Sequence, residues 1–193
     1  MVNSVDLPLQ GLKVIEFCQV AAGPFCAVLL ADLGAEVIKI ENIGGGDGMR
    51  QWPPISNGFS ENFASLNRNK RSLALDLKSD DGKEIALGLC ACADVVVENN
   101  RPGVMDRLGL GYQTLSHANP SLVYASISGF GQSGPRSFEG GFDVTIQAMA
   151  GVMSVTGEPG GGPVKCGVPI SDFSTGLYAA FSIVGALRQA ASE

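Results

Sequence analysis

Short apolar runs alternate with segments in which apolar residues recur every three or four positions, and this alternation sets the fold class before any single residue is considered. Residues 12–17 form an apolar, β-branched run, Gly23-Pro24 punctuates it, residues 25–33 read as a helix ending at Gly34, and Glu36-Val37-Ile38-Lys39-Ile40-Glu41 alternates as a strand. This is a βαβ opening. Residues 42–62, with Gly44-Gly45-Gly46, Pro53-Pro54 and Asn57-Gly58, read as a long irregular excursion. The pattern then predicts a strand over 72–77, a helix over 79–92 introduced by Ser79-Asp80-Asp81, and a buried strand over 94–98. Short helices over 102–108 and 112–118, a strand over 122–127 and a helix over 143–153 follow. From Phe173 onward, Leu177, Ala180, Phe181, Val184, Leu187 and Ala191 recur at helical steps.

Strands alternating with helices predict an α/β protein with a Rossmann-like, doubly wound parallel sheet and helices on both faces. Ligands of such sheets collect beyond the carboxyl ends of the strands. That rule gathers Gln19-Val20-Ala21-Ala22, Asn42-Ile43, Asn99-Asn100 and Gly129-Phe130-Gly131 on one rim. No Walker loop is present, and Gly44-Gly45-Gly46-Asp47 is not a dinucleotide fingerprint between a first strand and its helix.

Composition narrows the function classes. The chain has 193 residues, 45% of them apolar and 17% charged, enough for one large core. A formal net charge of -6 disfavours a nucleic-acid partner held through its phosphates. Against that background Arg68-Asn69-Lys70-Arg71 reads either as a solvated turn before a strand or as a site for a phosphorylated small molecule. Five cysteines, Cys18, Cys26, Cys90, Cys92 and Cys166, lack framework or zinc-site spacing, so neither a disulfide nor a metal is expected. The expectation is a cytoplasmic protein with no membrane association, because no signal-like N-terminus and no stretch of bilayer length is read in the sequence.

The most informative chemistry lies in Gly160-Gly161-Gly162-Pro163 followed by Ile170-Ser171-Asp172-Phe173-Ser174-Thr175-Gly176. This places Asp172 at or beside the N-cap of the last helix, where backbone N–H groups and the helix dipole would keep it ionised. Two readings stand side by side: an ordinary helix cap, or a carboxylate nucleophile.

Several blocks, taken in order, resemble the family III CoA-transferases, the group that includes formyl-CoA transferase, carnitine CoA-transferase and α-methylacyl-CoA racemase. They are Gly11-Leu12-Lys13-Val14-Ile15-Glu16-Phe17, Ala22-Gly23-Pro24, residues 33–41, Asn67-Arg68-Asn69-Lys70-Arg71-Ser72, residues 94–103, Phe142-Asp143-Val144 and Gln147-Ala148-Met149-Ala150-Gly151. The resemblance implies that Asp172 attacks an acyl-CoA thioester to form a mixed anhydride and then an aspartyl-CoA thioester, with coenzyme A as substrate and no metal. It implies CoA contacts at Val20, Leu75, Lys78, Asn99 and Arg107. Read without it, Val20 and Leu75 fit a core, Lys78 a helix-entry charge, Asn99 a turn, and Arg107 a surface pair with Asp106.

Three departures qualify the resemblance. Ala21 stands where formyl-CoA transferase has a glutamine, Asn42 replaces a basic residue that helps hold the nucleotide, and Phe142 sits where the racemase branch carries a catalytic histidine. Phenylalanine exchanges no proton, which disfavours the racemase-like isomerase. His117, the single histidine, falls at a helix end. Family members are about twice as long and form interlocked dimers. Residues 1–193 are therefore expected to be the N-terminal part of the large domain, self-associating as a two-fold homodimer or completed by a separately encoded C-terminal half. A domain that binds CoA or protein without turnover is the alternative.

Overall fold

The computed structural model describes residues 7–191. Its main sheet has five parallel strands, β1 (Lys13–Phe17), β2 (Glu36–Glu41), β5 (Lys70–Ala74), β6 (Val95–Glu98) and β7 (Val123–Ser126), in the order β5-β2-β1-β6-β7. A two-stranded hairpin, β3 (Ile55–Ser56) and β4 (Phe59–Ser60), stands apart from it. Ile15 lies opposite Ile38 on one side and Val96 on the other, which fixes the register at the centre of the sheet. The order reverses between β1 and β6, the switch point where doubly wound folds open a crevice.

Because side chains alternate along each strand, the sheet feeds two cores. Val14, Val37, Val95 and Val97 pack with Cys26, Ala27 and Leu30 of α1 (Ala22–Asp32) and with Ala180 and Ile183 of α7 (Ile170–Ala190). On the other face Ile15, Phe17, Ile40 and Val96 meet Ala86 and Cys90 of α3 (Asp80–Ala91), Met105 of α4 (Val104–Arg107) and Leu115 of α5 (Tyr112–Ala118). The expected doubly wound α/β architecture with helices on both faces is the observed one.

Boundaries differ where tertiary contacts override local pattern. The stretch 42–62 is not irregular: it holds a 3-10 turn over Gly48–Gln51, the β3–β4 hairpin and the start of α2 (Glu61–Asn67), whose Ser60 hydroxyl caps Phe63 N–H. β5 begins two residues before the expected strand because Lys70 pairs opposite Val37. α1 starts at Ala22, with Pro24 inside its first turn, where a missing N–H costs nothing. α6 (Asp143–Met149) stops earlier than expected and a 3-10 turn over Val152–Val155 follows Gly151.

α7 corrects two expectations. It starts at Ile170, so Asp172 occupies the third helical position rather than the cap. Its 21 residues, with a mean hydropathy of 1.3 in the most apolar window, also reach the length and composition of a bilayer-spanning segment, contrary to the sequence reading. Only Asp172 and Arg188 are charged along it, and its small residues count as apolar. In the fold it lies on α1, burying Gly176, Ala180 and Ile183, while Leu177, Phe181 and Val184 are 55%, 77% and 38% exposed.

Gly176 sets how closely α7 approaches α1. A Cβ there would lie 2.5 Å from the Ala22 carbonyl oxygen and 3.2 Å from Cys26 N. Gly176→Ala is expected to destabilise the protein by about 1–3 kcal/mol in urea unfolding. Gly185→Ala on the same helix, with open space around it, should be neutral or gain up to about 1 kcal/mol. Equal effects at the two positions would contradict this packing.

Candidate active site

Two clefts open side by side at the carboxyl ends of the strands, and Gln19 and Asn100 line both. One, of about 460 Å³, runs between Val20, Ala21, Asn99, Ser128, Phe142 and Asp172. The other, of about 410 Å³, is walled by Ile40, Asn42, Leu75, Lys78, Met105 and Leu108. Five of the six site residues read from the sequence thus separate into an Asp172 end, with Val20 and Asn99, and a Lys78 end, with Leu75 beside it. Arg107 lines neither cleft: α4 turns Met105 and Leu108 inward and leaves Arg107 exposed.

The turn between β1 and α1 divides the two clefts, and its shape is imposed by buried charge. Val20 has φ +65°, a strained value for a β-branched residue. Its N–H donates to both carboxylate oxygens of Asp47, at 3.2 and 3.1 Å. Asp47 is held by Lys39 Nζ at 3.0 Å, and Lys39 also reaches Glu16 Oε1 at 3.0 Å and donates to the Cys18 carbonyl at 2.7 Å. Lys70 Nζ lies 2.8 Å from Glu16 Oε2 and donates to the Pro24 carbonyl in the first turn of α1. Two carboxylates and two ammonium groups cancel in charge within a dry site.

Burial alone would lower the Lys39 pKa, but Glu16 and Asp47 outweigh it and raise it. For Lys70 burial prevails and the pKa falls despite Glu16. Beside them, burial works against the Glu41 carboxylate, yet hydrogen bonds from Arg50 and Ser72 bring its pKa down to about 2. Glu41 also accepts Asp47 N–H at 2.8 Å, linking the strand end to the glycine loop.

These contacts correct the phosphate reading of the basic cluster. Arg68 pairs with Asp32, Lys70 is buried on Glu16, and Arg71 pairs with Glu36 at 2.6 Å. Asn99 is equally committed: its amide accepts Gln19 N–H at 2.9 Å and donates to the Gln19 carbonyl at 2.8 Å, clamping the β1–α1 turn across the switch point. Asn42 donates to the Gly46 carbonyl and accepts Gly44 N–H, shaping the loop over the Lys78 cleft. His117 is exposed in the last turn of α5, away from both clefts.

Of the two readings of Asp172, the helix-cap role falls to another residue. Pro169 precedes α7 and supplies no capping side chain. Asp143 of α6 instead accepts Ser171 N–H at 2.8 Å and, more weakly, Asp172 N–H at 3.4 Å. Asp172 therefore presents its carboxyl group to the cleft. Burial first, then the negative charge of Asp143, raise its pKa to about 6, opposite to the lowering expected from helix N–H groups and the dipole. At neutral pH it is still mostly the carboxylate, and a more basic one than an ordinary aspartate.

The Asp172 carboxylate thus lies in a cleft at the switch point of a doubly wound sheet, the place where such folds bind ligands, with a second cleft adjoining it. Comparison with known proteins decides the family, since the CoA-transferase family III model matches residues 9–193. The chain belongs to the family III CoA-transferases. It is 45% identical over 183 residues to succinyl-CoA:glutarate CoA-transferase of Mus musculus, covering 94% of this chain and 42% of that protein. It is 45% identical over 181 residues to acetyl-CoA:oxalate CoA-transferase of Acetobacter aceti, covering 93% of this chain and 46% of that one. A CAIB/BAIF family protein from Brucella suis matches in structure with a TM-score of 0.93 at 43% identity, over 97% of this chain and 51% of the other. The chain spans about half the length of the curated relatives it matches.

Sequence reasoning missed Asp143, Asp47 and the Glu16–Lys39–Lys70 cluster. Glu16 and Lys39 did carry a signal, being charged residues inside strands of a buried sheet, where unpaired charge is not tolerated. Asp143 carried none, since an acidic residue in the first turn of a helix ordinarily serves its own helix.

Proposed function

We propose that this chain forms the part of a family III CoA-transferase that carries the nucleophile, moving CoA from an acyl-CoA to a carboxylic acid through Asp172. The observation that carries this reading is the unpaired Asp172 carboxyl group in the cleft, freed from capping by Asp143. An Asp172 oxygen attacks the thioester carbonyl, the C–S bond breaks, and CoA thiolate departs from a mixed anhydride. The thiolate then attacks the aspartyl carbonyl, releasing the donor acid and leaving an aspartyl-CoA thioester. An acceptor carboxylate displaces the thiolate to form a second anhydride, and thiolate attack on its acyl carbon yields the new acyl-CoA and restores Asp172. Each step retains an activated acyl group, so the free energy of the thioester is not lost to water.

The Lys78 cleft supports binding of the nucleotide end, with Leu75 offering an apolar wall and the exposed Lys78 ammonium a phosphate partner. Arg107, exposed just beyond the Met105 and Leu108 wall, would reach phosphate from the rim. Val20 and Asn99 contribute by fixing the turn between the clefts. Phe142, 72% exposed on the Asp172 cleft, offers no second proton carrier, which argues against racemisation. The exposed apolar face of α7 supports the pairing with a second copy, or with residues matching the second half of the relatives, that the family resemblance implies.

The test couples binding to turnover. Lys78→Ala is expected to weaken CoA by roughly 1.5–3 kcal/mol in calorimetry, with affinity falling as salt rises. Succinyl-CoA and a dicarboxylate acceptor should give the acceptor's CoA ester, assayed with the chain alone and with a polypeptide matching the second half of its relatives. CoA binding with no transfer under either condition would instead favour a non-catalytic CoA-binding domain.

A further inference from the structure

α7 begins without a side-chain cap of its own: Ile170 and Phe173 N–H bond to the Val168 and Pro169 carbonyls, and the side chain that serves the two N–H groups between them comes from α6. Asp143 Oδ1 accepts Ser171 N–H at 2.8 Å and Asp172 N–H at 3.4 Å. Its Oδ2 accepts the Gln147 side-chain N–H at 2.6 Å, and Gln147 Oε1 accepts Cys166 N–H at 2.8 Å. Gln147 is completely buried. One chain of hydrogen bonds thus runs from the glycine-rich segment ahead of α7, through Gln147 and Asp143, to the backbone of Asp172.

The orphan N–H groups of a helix start must find acceptors. Were Asp143 absent, the nearest acidic group in the first turn would be Asp172 itself, which would then turn inward to serve as its own helix's acceptor. We infer that Asp143 is a positioning residue for Asp172, and that together with Gln147 it keeps the Asp172 carboxylate directed into the cleft rather than spent on the helix terminus. The inference rests on the reading of Asp172 as nucleophile for its meaning, though not for its geometry.

A second consequence follows from charge. Asp143 brings a negative charge to the backbone beside Asp172, and with burial it holds the Asp172 proton more tightly than an ordinary aspartate would. Other charged groups lie on the same cleft or on neighbouring elements. Arg101, after β6, and Glu139, engaged by Arg136 at 2.8 and 2.6 Å, lie on the same cleft. Lys165, in the segment ahead of α7, donates to the Cys166 carbonyl. α1, packed along α7, carries its single acidic residue, Asp32, at its far end, paired with Arg68.

The experiment compares Asp143→Asn, which keeps an acceptor oxygen but removes the charge, with Asp143→Ala, which removes both. Carbon-13 NMR titration of the aspartate carboxyl groups in the full chain, without any acyl-CoA, reads the Asp172 midpoint directly. Asp143→Asn is expected to lower that midpoint from about 6 towards the ordinary range and to keep most of the rate of Asp172 acylation by succinyl-CoA. Asp143→Ala should slow acylation by on the order of tenfold to a hundredfold, as small misplacements of reacting groups do, with CoA affinity unchanged. An unmoved Asp172 midpoint in Asp143→Asn, or parental acylation in Asp143→Ala, would overturn the inference. Should Asp143→Ala not fold, the Asp143→Asn titration decides alone. A shifted midpoint in a protein whose Asp172 is never acylated would leave the positioning role standing and remove the nucleophile reading.

Discussion

Replacing Asp172 by asparagine should lower CoA transfer by at least about 10³-fold while leaving CoA binding within a factor of two or so, because the covalent route loses its nucleophile and the Lys78 cleft is untouched. The same substitution has a stability signature. Asp172 has a folded-state pKa of about 6, above its ordinary value of 3.8. The folded chain therefore holds this proton more tightly than the unfolded chain. The resulting stabilisation is complete below about pH 4 and is lost as pH rises through about 6. At pH 7 the parent carries a half-buried charge that Asp172→Asn lacks. The variant should then be more stable than the parent by on the order of 1–2 kcal/mol, a figure reduced for the water in the open cleft. The advantage should vanish near pH 4, and urea unfolding at the two pH values measures it. A variant equally stable at both would contradict the environment assigned to Asp172.

The second large effect is expected in the buried charge cluster. Lys39→Met removes the ammonium group shared by Glu16 and Asp47 and leaves two carboxylates in a dry site with only Lys70 to answer them. The cost should be about 3–5 kcal/mol in urea unfolding, the usual penalty for orphaning a buried ion. CoA affinity should fall as well, because Asp47 is what holds Val20 in its strained turn between the clefts. Asp47→Asn should cost less in the Lys39→Met background than in the parent, since its charge is then no longer an asset. Additive losses across this cycle would show that the two side chains do not act as one unit.

The parts of the fold legible in the sequence are those governed by periodicity. β1, β2, β6, β7, α3 and α5 were readable because a buried parallel strand is a short β-branched run and a packed helix repeats its apolar face. α2 and the β3–β4 hairpin were not, because Pro53-Pro54, Asn57-Gly58 and the glycine run dominate residues 42–62 and mask a seven-residue helix with one buried side chain, Leu66. The start of α7 was misplaced for a related reason. A local reading assigns the cap to the nearest acidic residue, whereas the acceptor comes from Asp143, 28 positions earlier in the chain. Asp172 stood out in the sequence as a carboxylate beside a helix start, but its environment did not. The Asn99 clamp on Gln19 bridges 80 positions and has no local signal at all. Arg107 was assigned by resemblance, and its exposure outside both clefts depends on the turn of α4.

The most direct measurement is trapping of the acylated aspartate. In a preparation that transfers CoA from succinyl-CoA, addition of hydroxylamine before the acceptor should convert Asp172 to its hydroxamate. Peptide mass spectrometry should find that change on the peptide containing Asp172 and in no Asp172→Asn sample. Transfer that proceeds with Asp172 unmodified, or with the hydroxamate on another residue, would contradict the assignment of Asp172 as the nucleophile.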